Sequence, residues 1–248
     1  MKNILLVTVL IAFSCQNPTK KIQNQSQNPN VIIIYMDDLG YGDVSSYGKG
    51  KLKTPNIDKL ANNGLKFLKG YSSSATCTPS RYGLLTGTYP WRNPRANIIT
   101  GGSLIIDTAQ MTLPKLLKIN GYKTGVVGKW HLGLGKDKIN YNKTISPGAN
   151  EIGFDYSYIL ADTQDRVPSG YIENGRVENL DVNDPISINF DENDYGLPTG
   201  LKNPELTTMK WHHGHNGSIV NGIPRIGFMK GGNKAKWKDE DMADTFLN

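Results

Sequence analysis

Cysteine and histidine are scarce in this chain. Its two cysteines, Cys15 and Cys77, can close one disulfide at most. Cys15 ends a leader-like segment, so Cys77 is the single cysteine in the body of the sequence. Basic runs are missing as well. The formal charge is +6, but no Lys/Arg run or stripe concentrates it. Such a surplus is compatible with an acidic ligand and too mild to indicate nucleic acid. There is no internal repeat, and the apolar run behind Lys2 is too short to span a bilayer.

What is present describes a folding chain. Hydrophobic residues make up 38% and charged residues 20%, the balance of a globular protein rather than a disordered one. With 27 glycines and 13 prolines, many turns between short elements are expected. Residues 1–15 read as a secretory signal. Its end resembles a bacterial lipoprotein cleavage box with Cys15 as the lipidated residue; a plain signal peptide cleaved nearby is the alternative. Residues 16–30 are polar and aperiodic, the composition of a flexible tether.

The fold is expected to begin at Val31. The run VIIIYM at 31–36 is apolar and β-branched, which predicts a central strand covered on both faces. Thr54 and Pro55 open a helix over 55–63, with Gly64 as its stop. A short strand is predicted at 65–67. A second helix begins at Cys77, where Pro79 fits the first turn and Leu84 and Leu85 supply a buried side. A third spans 113–120, with Thr112 as N-cap and Gly121 as stop. Strands are predicted at 122–127 and 153–160. Residues 161–232 are rich in Asp, Asn, Pro and Gly and read as an insertion folding over a site. The acidic residues from 239 onward read as the first turns of a helix. Alternating strands and helices predict an α/β fold, a mainly parallel sheet with helices on both faces.

Three groups of residues carry chemistry. Asp37 and Asp38 directly follow the first apolar strand, at the edge where open α/β sheets bind ligands. Adjacent carboxylates that cannot reach solvent need a cation, and hard oxygens suit Ca²⁺ or Mg²⁺. Lys129 and His131 follow another apolar strand between Gly128 and Gly133, offering a fixed positive charge and a donor or general acid. Cys77 sits at a helix start, where unpaired N–H groups and the dipole favour an anion, and Arg81 lies one turn on along the same face. Each has an ordinary explanation by itself: a turn aspartate, a surface lysine with a structural histidine, a buried inert cysteine.

Together they resemble the sulfatase family, the formylglycine-dependent hydrolases of the alkaline-phosphatase superfamily. CTPSRYGLLTG at 77–87 matches the signature C-x-P-S-R-x-x-x-L-T-G, MDDLGYGD at 36–43 the metal-binding start, and GYKTGVVGKWHLG at 121–133 the Lys/His segment. The resemblance runs from about Asn30 to the end of the chain and implies an alkaline-phosphatase-like fold. It also implies that Cys77 is converted to formylglycine by a maturation enzyme. One hydroxyl of the aldehyde hydrate would attack sulfur, and the other would lose its proton and expel sulfate. Asp37, Asp38 and residue 77 would hold Ca²⁺, with Mg²⁺ less favoured. Arg81 would steady the hydrate and Lys129 bind sulfate, while His131 would either accept the second proton or bind the hydrate.

The family places a further His, an Asp-Asn metal pair and another Lys in its second half. No stretch here matches them, so residues 31–248 are expected to be the N-terminal part of a catalytic domain, incomplete at the C-terminus. The remaining histidines, His212, His213 and His215, lie in a segment, 209–232, that resembles part of certain bacterial arylsulfatase-like enzymes. His213 and His215 are expected at the substrate entrance, with a solvated loop as the alternative. The expected activity is release of sulfate from a sulfated carbohydrate or aryl sulfate by an exported, periplasmic or lipid-anchored bacterial protein. A phosphate or phosphonate ester hydrolase of the same superfamily is the alternative enzyme. An inactive lipoprotein binding sulfated glycan is the alternative of another class.

Overall fold

The computed structural model describes residues 28–48, 50–97, 100–210 and 214–248. The chain divides into two units, Met1–Lys53 and Thr54–Asn248. The leader, the tether up to residue 27, Cys15 and His213 lie outside the described residues.

In the first unit, residues 31–36 belong to no strand ladder among the described residues. Ile32 is 84% exposed, so the central strand expected here is not formed. A β-branched apolar run states a need for cover, and only a neighbouring strand can supply the hydrogen bonds. The chain then turns through Asp37 and Asp38, and Asp38 adopts φ 54°, a left-handed conformation that Asp tolerates better than most residues. A 3₁₀ turn follows at Tyr41–Asp43, where the Gly40 N–H donates to Asp43 Oδ2 at 3.0 Å.

The second unit opens with helix α1, Pro55–Asn63, with Gly64 as its C-cap. Thr54 Oγ1 donates to Asp58 Oδ1 at 3.1 Å across its first turn. Residues 65–67, expected as a strand, pair with nothing among the described residues; Leu65 and Phe67 stay exposed. Helix α2 spans Cys77–Thr86 and ends at Gly87, whose φ of 63° lets its N–H reach the Gly83 carbonyl. Its buried side is Thr78, Pro79, Ser80 and Tyr82; Leu84 and Leu85 are only half-buried. Helix α3, Leu113–Ile119, is capped by Thr112, whose Oγ1 accepts from the Lys115 N–H and donates to the Ile152 carbonyl at 2.5 Å.

A four-stranded sheet follows, in the order β1 (Gly125–Lys129), β2 (Tyr156–Leu160), β3 (Tyr171–Glu173), β4 (Arg176–Val177). β1 and β2 are parallel, with Lys129 opposite Leu160; the other two pairings are antiparallel. Residues 161–232 are therefore not a bare insertion. They contribute β3 and β4 to the main sheet and form two further ladders, β5 (Ser187–Asn189) with β8 (Phe228–Lys230), and β6 (Ile219–Val220) with β7 (Ile223–Pro224). The chain closes on α4, Met242–Leu247. Trp130, Leu132, Ile152, Ile159, Val167 and Ile172 are all almost completely buried in the main core. That core directly underlies the ends of β1 and β2.

Candidate active site

Because β1 and β2 run side by side in the same direction, the residues that follow them emerge at one sheet edge. The pairing continues past the strands: the Trp130 and His131 N–H groups donate to the Leu160 and Ala161 carbonyls, each at 3.1 Å. The Thr78 Oγ1 on α2 donates to the His131 carbonyl at 2.8 Å. His131 is wholly buried and has φ 54°. A non-glycine residue held there is fixed by its surroundings, a state that clusters at functional sites.

Gly133 is packed against backbone: a Cβ there would lie 2.1 Å from the Ser103 carbonyl oxygen. The loop after β1 is stitched to residues 102–105 by Ile105 N–H to Leu132 O and Leu134 N–H to Gly102 O, each 3.0 Å.

Three of the predicted residues, Cys77, Arg81 and Lys129, come together. The Lys129 Nζ donates to Cys77 Sγ at 3.0 Å. Arg81 Nη1 donates to the Lys129 carbonyl at 2.6 Å, so the arginine one turn above Cys77 fixes the lysine's backbone. Cys77 is the first residue of α2, where backbone N–H groups and the helix dipole face an incoming anion. A cation, a helix N-terminus and residue 77 thus converge. Asp37 and Asp38 lie in the first unit. Among the described residues, no group of three or more His, Cys, Asp or Glu side chains could hold a metal.

The residue missing from the sequence reading is Arg166. Its Nη1 lies 3.2 Å from His131 Nε2 and 3.0 Å from Thr163 Oγ1. It sits in an Asp-rich stretch, and the available signal was positional: it follows a strand parallel to the one carrying Lys129. Two carboxylates flank it. Asp162 is buried, and burial pushes its carboxyl up to about 6, against the opposing pull of the Gly101 N–H and the charges of Arg166 and Lys129. Burial also acts to raise Asp165. Its hydrogen bonds with Thr163 and His215 outweigh that and hold it below the usual carboxylate range.

His215, expected at the substrate entrance, meets Asp165 with Nε2 2.6 Å from Oδ2. The two line a cavity of about 390 Å³ with Lys210, Met209, Ile223 and Pro224. Its floor is a buried ion pair, Arg225 Nη2 to Asp239 Oδ2 at 2.6 Å. Arg225 also donates to the Gln164 and Val220 carbonyls, so its charge is spent on structure.

The sulfatase family model matches residues 29–241. An N-acetylgalactosamine-6-O-sulfatase of Bacteroides thetaiotaomicron is 52% identical over all of this chain and 50% of its own length. A human N-acetylgalactosamine-6-sulfatase is 42% identical over 43% of this chain and 22% of its own. A solved Bacteroides thetaiotaomicron structure, described under the metabolism of multiple glycosaminoglycans, superposes with a TM-score of 0.87. It is 55% identical and covers 90% of this chain and 47% of its own. The chain belongs to the sulfatase family and has the α/β fold of its members. It spans about half the length of the relative that it matches throughout.

Proposed function

We propose that the chain supplies the reacting residue and anion-binding groups of a sulfuric ester hydrolase. The proposed substrate is a sulfated carbohydrate of the 6-sulfated N-acetylgalactosamine class. The observation that carries this is Lys129 Nζ held 3.0 Å from Cys77 Sγ at the start of α2. The printed activity of the Bacteroides relative supports the choice of sugar.

Residue 77 works as formylglycine, whose hydrate supplies both an attacking hydroxyl and a second one that can release sulfate. Ca²⁺, when bound, would supply neutralisation of sulfate charge. Asp37 and Asp38 would hold it: they are adjacent hard-oxygen donors, and Ca²⁺ takes about six to eight oxygens, so they form part of its shell. The chain's own residues do the rest. Lys129 and the first N–H groups of α2 bind sulfate oxygens and stabilise the charge that grows on them. Arg81 aims Lys129 through its carbonyl. Asp165 and His215 present paired polar groups to the sugar, and Ile223 and Pro224 offer an apolar wall to its ring. We assign residues 1–15 as the leader, Cys15 as a lipid-anchor point and 16–30 as a tether, which makes the protein an exported one.

Release of sulfate from N-acetylgalactosamine 6-sulfate, against release of phosphate from the 6-phosphate of the same sugar, tests this reading. Sulfate is expected to leave faster. Equal or faster phosphate release assigns a phosphoesterase instead. Binding of the sulfated sugar without release of either group, in protein that carries the aldehyde, assigns a binding role.

A further inference from the structure

Thr78 fills the one position of Cys-x-Pro-Ser-Arg that the signature leaves open. We infer that it is a positioning residue for the reaction: its hydroxyl, acting on the backbone after β1, sets the spacing between residue 77 and Lys129. The inference deepens the hydrolase reading and rests on it.

Thr78 is wholly buried. A buried hydroxyl needs a partner, and Thr78 Oγ1 donates to the His131 carbonyl at 2.8 Å. Three residues on, Arg81 Nη1 donates to the Lys129 carbonyl at 2.6 Å. Residues at i and i+3 are neighbours on a helix face, so one side of α2 meets two carbonyls of one short segment. The same segment is held by a second element. The Trp130 and His131 N–H groups donate to the Leu160 and Ala161 carbonyls, each at 3.1 Å. Residues 129–131 are thus bonded through N–H groups to the end of β2 and through carbonyls to α2.

The two bonds from α2 differ in kind. Arg81 reaches along a flexible arm, which can follow a shift of the backbone. Thr78 has a short, β-branched side chain with a stiff χ1, so its bond allows little play. It also adjoins residue 77 directly. One bond would leave the start of α2 free to pivot about it; two fix both its tilt and its depth against the end of β1. The quantity so fixed is the approach of Lys129 Nζ to Cys77 Sγ, 3.0 Å. In the hydrolase reading this sets the attacking group at residue 77 against the cation that binds sulfate. Misplacement by about 1 Å at such a point costs about 10²-fold in rate. The proposed sugar contacts, Asp165 and His215, lie on other segments, so loss of the Thr78 hydroxyl leaves them in place.

Two matched pairs in the full chain test this. Thr78→Val removes the hydroxyl at nearly constant shape, and Thr78→Ser keeps it. Thr78→Ala set against Thr78→Ser repeats the comparison should valine hinder folding. Rates are counted per aldehyde at residue 77, from mass spectrometry of the peptide 70–81, so that poorer maturation is not read as poorer chemistry. Thr78→Val and Thr78→Ala should lower kcat for sulfate release by about 10-fold or more with KM within about 2-fold, while Thr78→Ser should keep at least about a third of the wild-type kcat. Equal loss in Thr78→Ser and Thr78→Ala, or an unaltered kcat in Thr78→Val, overturns the inference. The second arm needs no turnover. In protein expressed without maturation, ortho-phthalaldehyde joins a thiol and a primary amine at close range into a fluorescent isoindole, with loss of two waters. The bridge between Cys77 and Lys129, located by mass spectrometry, should form several-fold more slowly in Thr78→Val and Thr78→Ala than in wild type and Thr78→Ser. Equal rates in all four overturn the spacing role. Failure of wild-type protein to release sulfate strikes the hydrolase reading, while the bridge still decides whether Thr78 sets the spacing.

Discussion

Lys129 and Cys77 face each other between the end of β1 and the start of α2, with Nζ 3.0 Å from Sγ. They are 52 positions apart in sequence. One contact therefore brings together a strand end and a helix start, the two places where an α/β fold collects charge for a ligand. Lys129→Met keeps most of the stem and removes the cation. It should lower kcat for sulfate release by about 10²-fold or more, the usual cost of losing a preorganised charge partner. Lys129→Arg should restore little, because a planar fork does not replace a point charge at this distance. Steady-state sulfate release checks both, and a Lys129→Met variant with unaltered kcat removes the lysine from the reaction.

Position 77 makes the second prediction. Trypsin should release residues 70–81 as one peptide. In protein matured by a formylglycine-generating host, that peptide should be lighter than the encoded sequence and react with carbonyl reagents. Cys77→Ser should show neither property and release no sulfate. An active preparation carrying only thiol would contradict the proposed chemistry.

Local signals were legible in the sequence, and pairing was not. α1 and α3 open where Thr-Pro and a threonine cap predict, because caps and first-turn prolines act within one turn. β1 runs over Gly125–Lys129 rather than 122–127; its glycines carry no strand signal, and register with β2 decides the matter. Residues 31–36 and 65–67 have strand composition without a ladder among the described residues. The same division holds at the site. Cys77 and His131 stand out as rare residue types, and Arg81 and Lys129 through the fixed motifs around them. Arg166 is one charged residue in an Asp-rich stretch, and only the parallel β1/β2 pair gives it meaning.

Asp162 should give stability a distinctive dependence on pH. Burial raises its carboxyl from 3.8 to about 6 in the folded state, so between those values the native chain binds the extra proton. Its contribution is present below about pH 4 and lost as pH rises through about 6. At neutral pH the loss amounts to about 3 kcal/mol at most. Asp162→Asn should flatten that slope in urea melts between pH 4 and 7. Asp155 behaves oppositely. Its hydrogen bond with Lys118 lowers it to about 2, so its contribution is present above its unfolded value and fades as pH falls through about 2.

Gly133→Ala tests the loop that carries His131. The new Cβ would lie 2.1 Å from the Ser103 carbonyl oxygen at a residue with φ 76°, so both space and backbone conformation oppose it. The variant should lose more than about 2 kcal/mol in thermal or urea unfolding. A neutral result would show that residues 102–105 can move away from the loop.

The cavity beside the site predicts a split in kinetics. His215→Ala should raise KM for the sulfated sugar several-fold and leave kcat within about 2-fold, because the lost contact serves substrate and transition state alike. Asp165→Asn should do the same, since it releases His215 from its 2.6 Å anchor. An unchanged KM in both places the sugar elsewhere.

The parallel pairing of β1 with β2 has a consequence for divergence and redesign. Lys129 ends one strand and His131 follows it; Asp162, Asp165 and Arg166 follow the neighbouring strand. On the proposed function, reaction and recognition would thus be written on separate segments joined by a shared ladder. Exchanging the segment after β2 together with the loop bearing His215 would graft a new preference without rewriting the strand that meets residue 77. Arg166 is the exception. It belongs to the recognition segment and reaches back to His131, so any graft that omits it would change the chemistry along with the substrate.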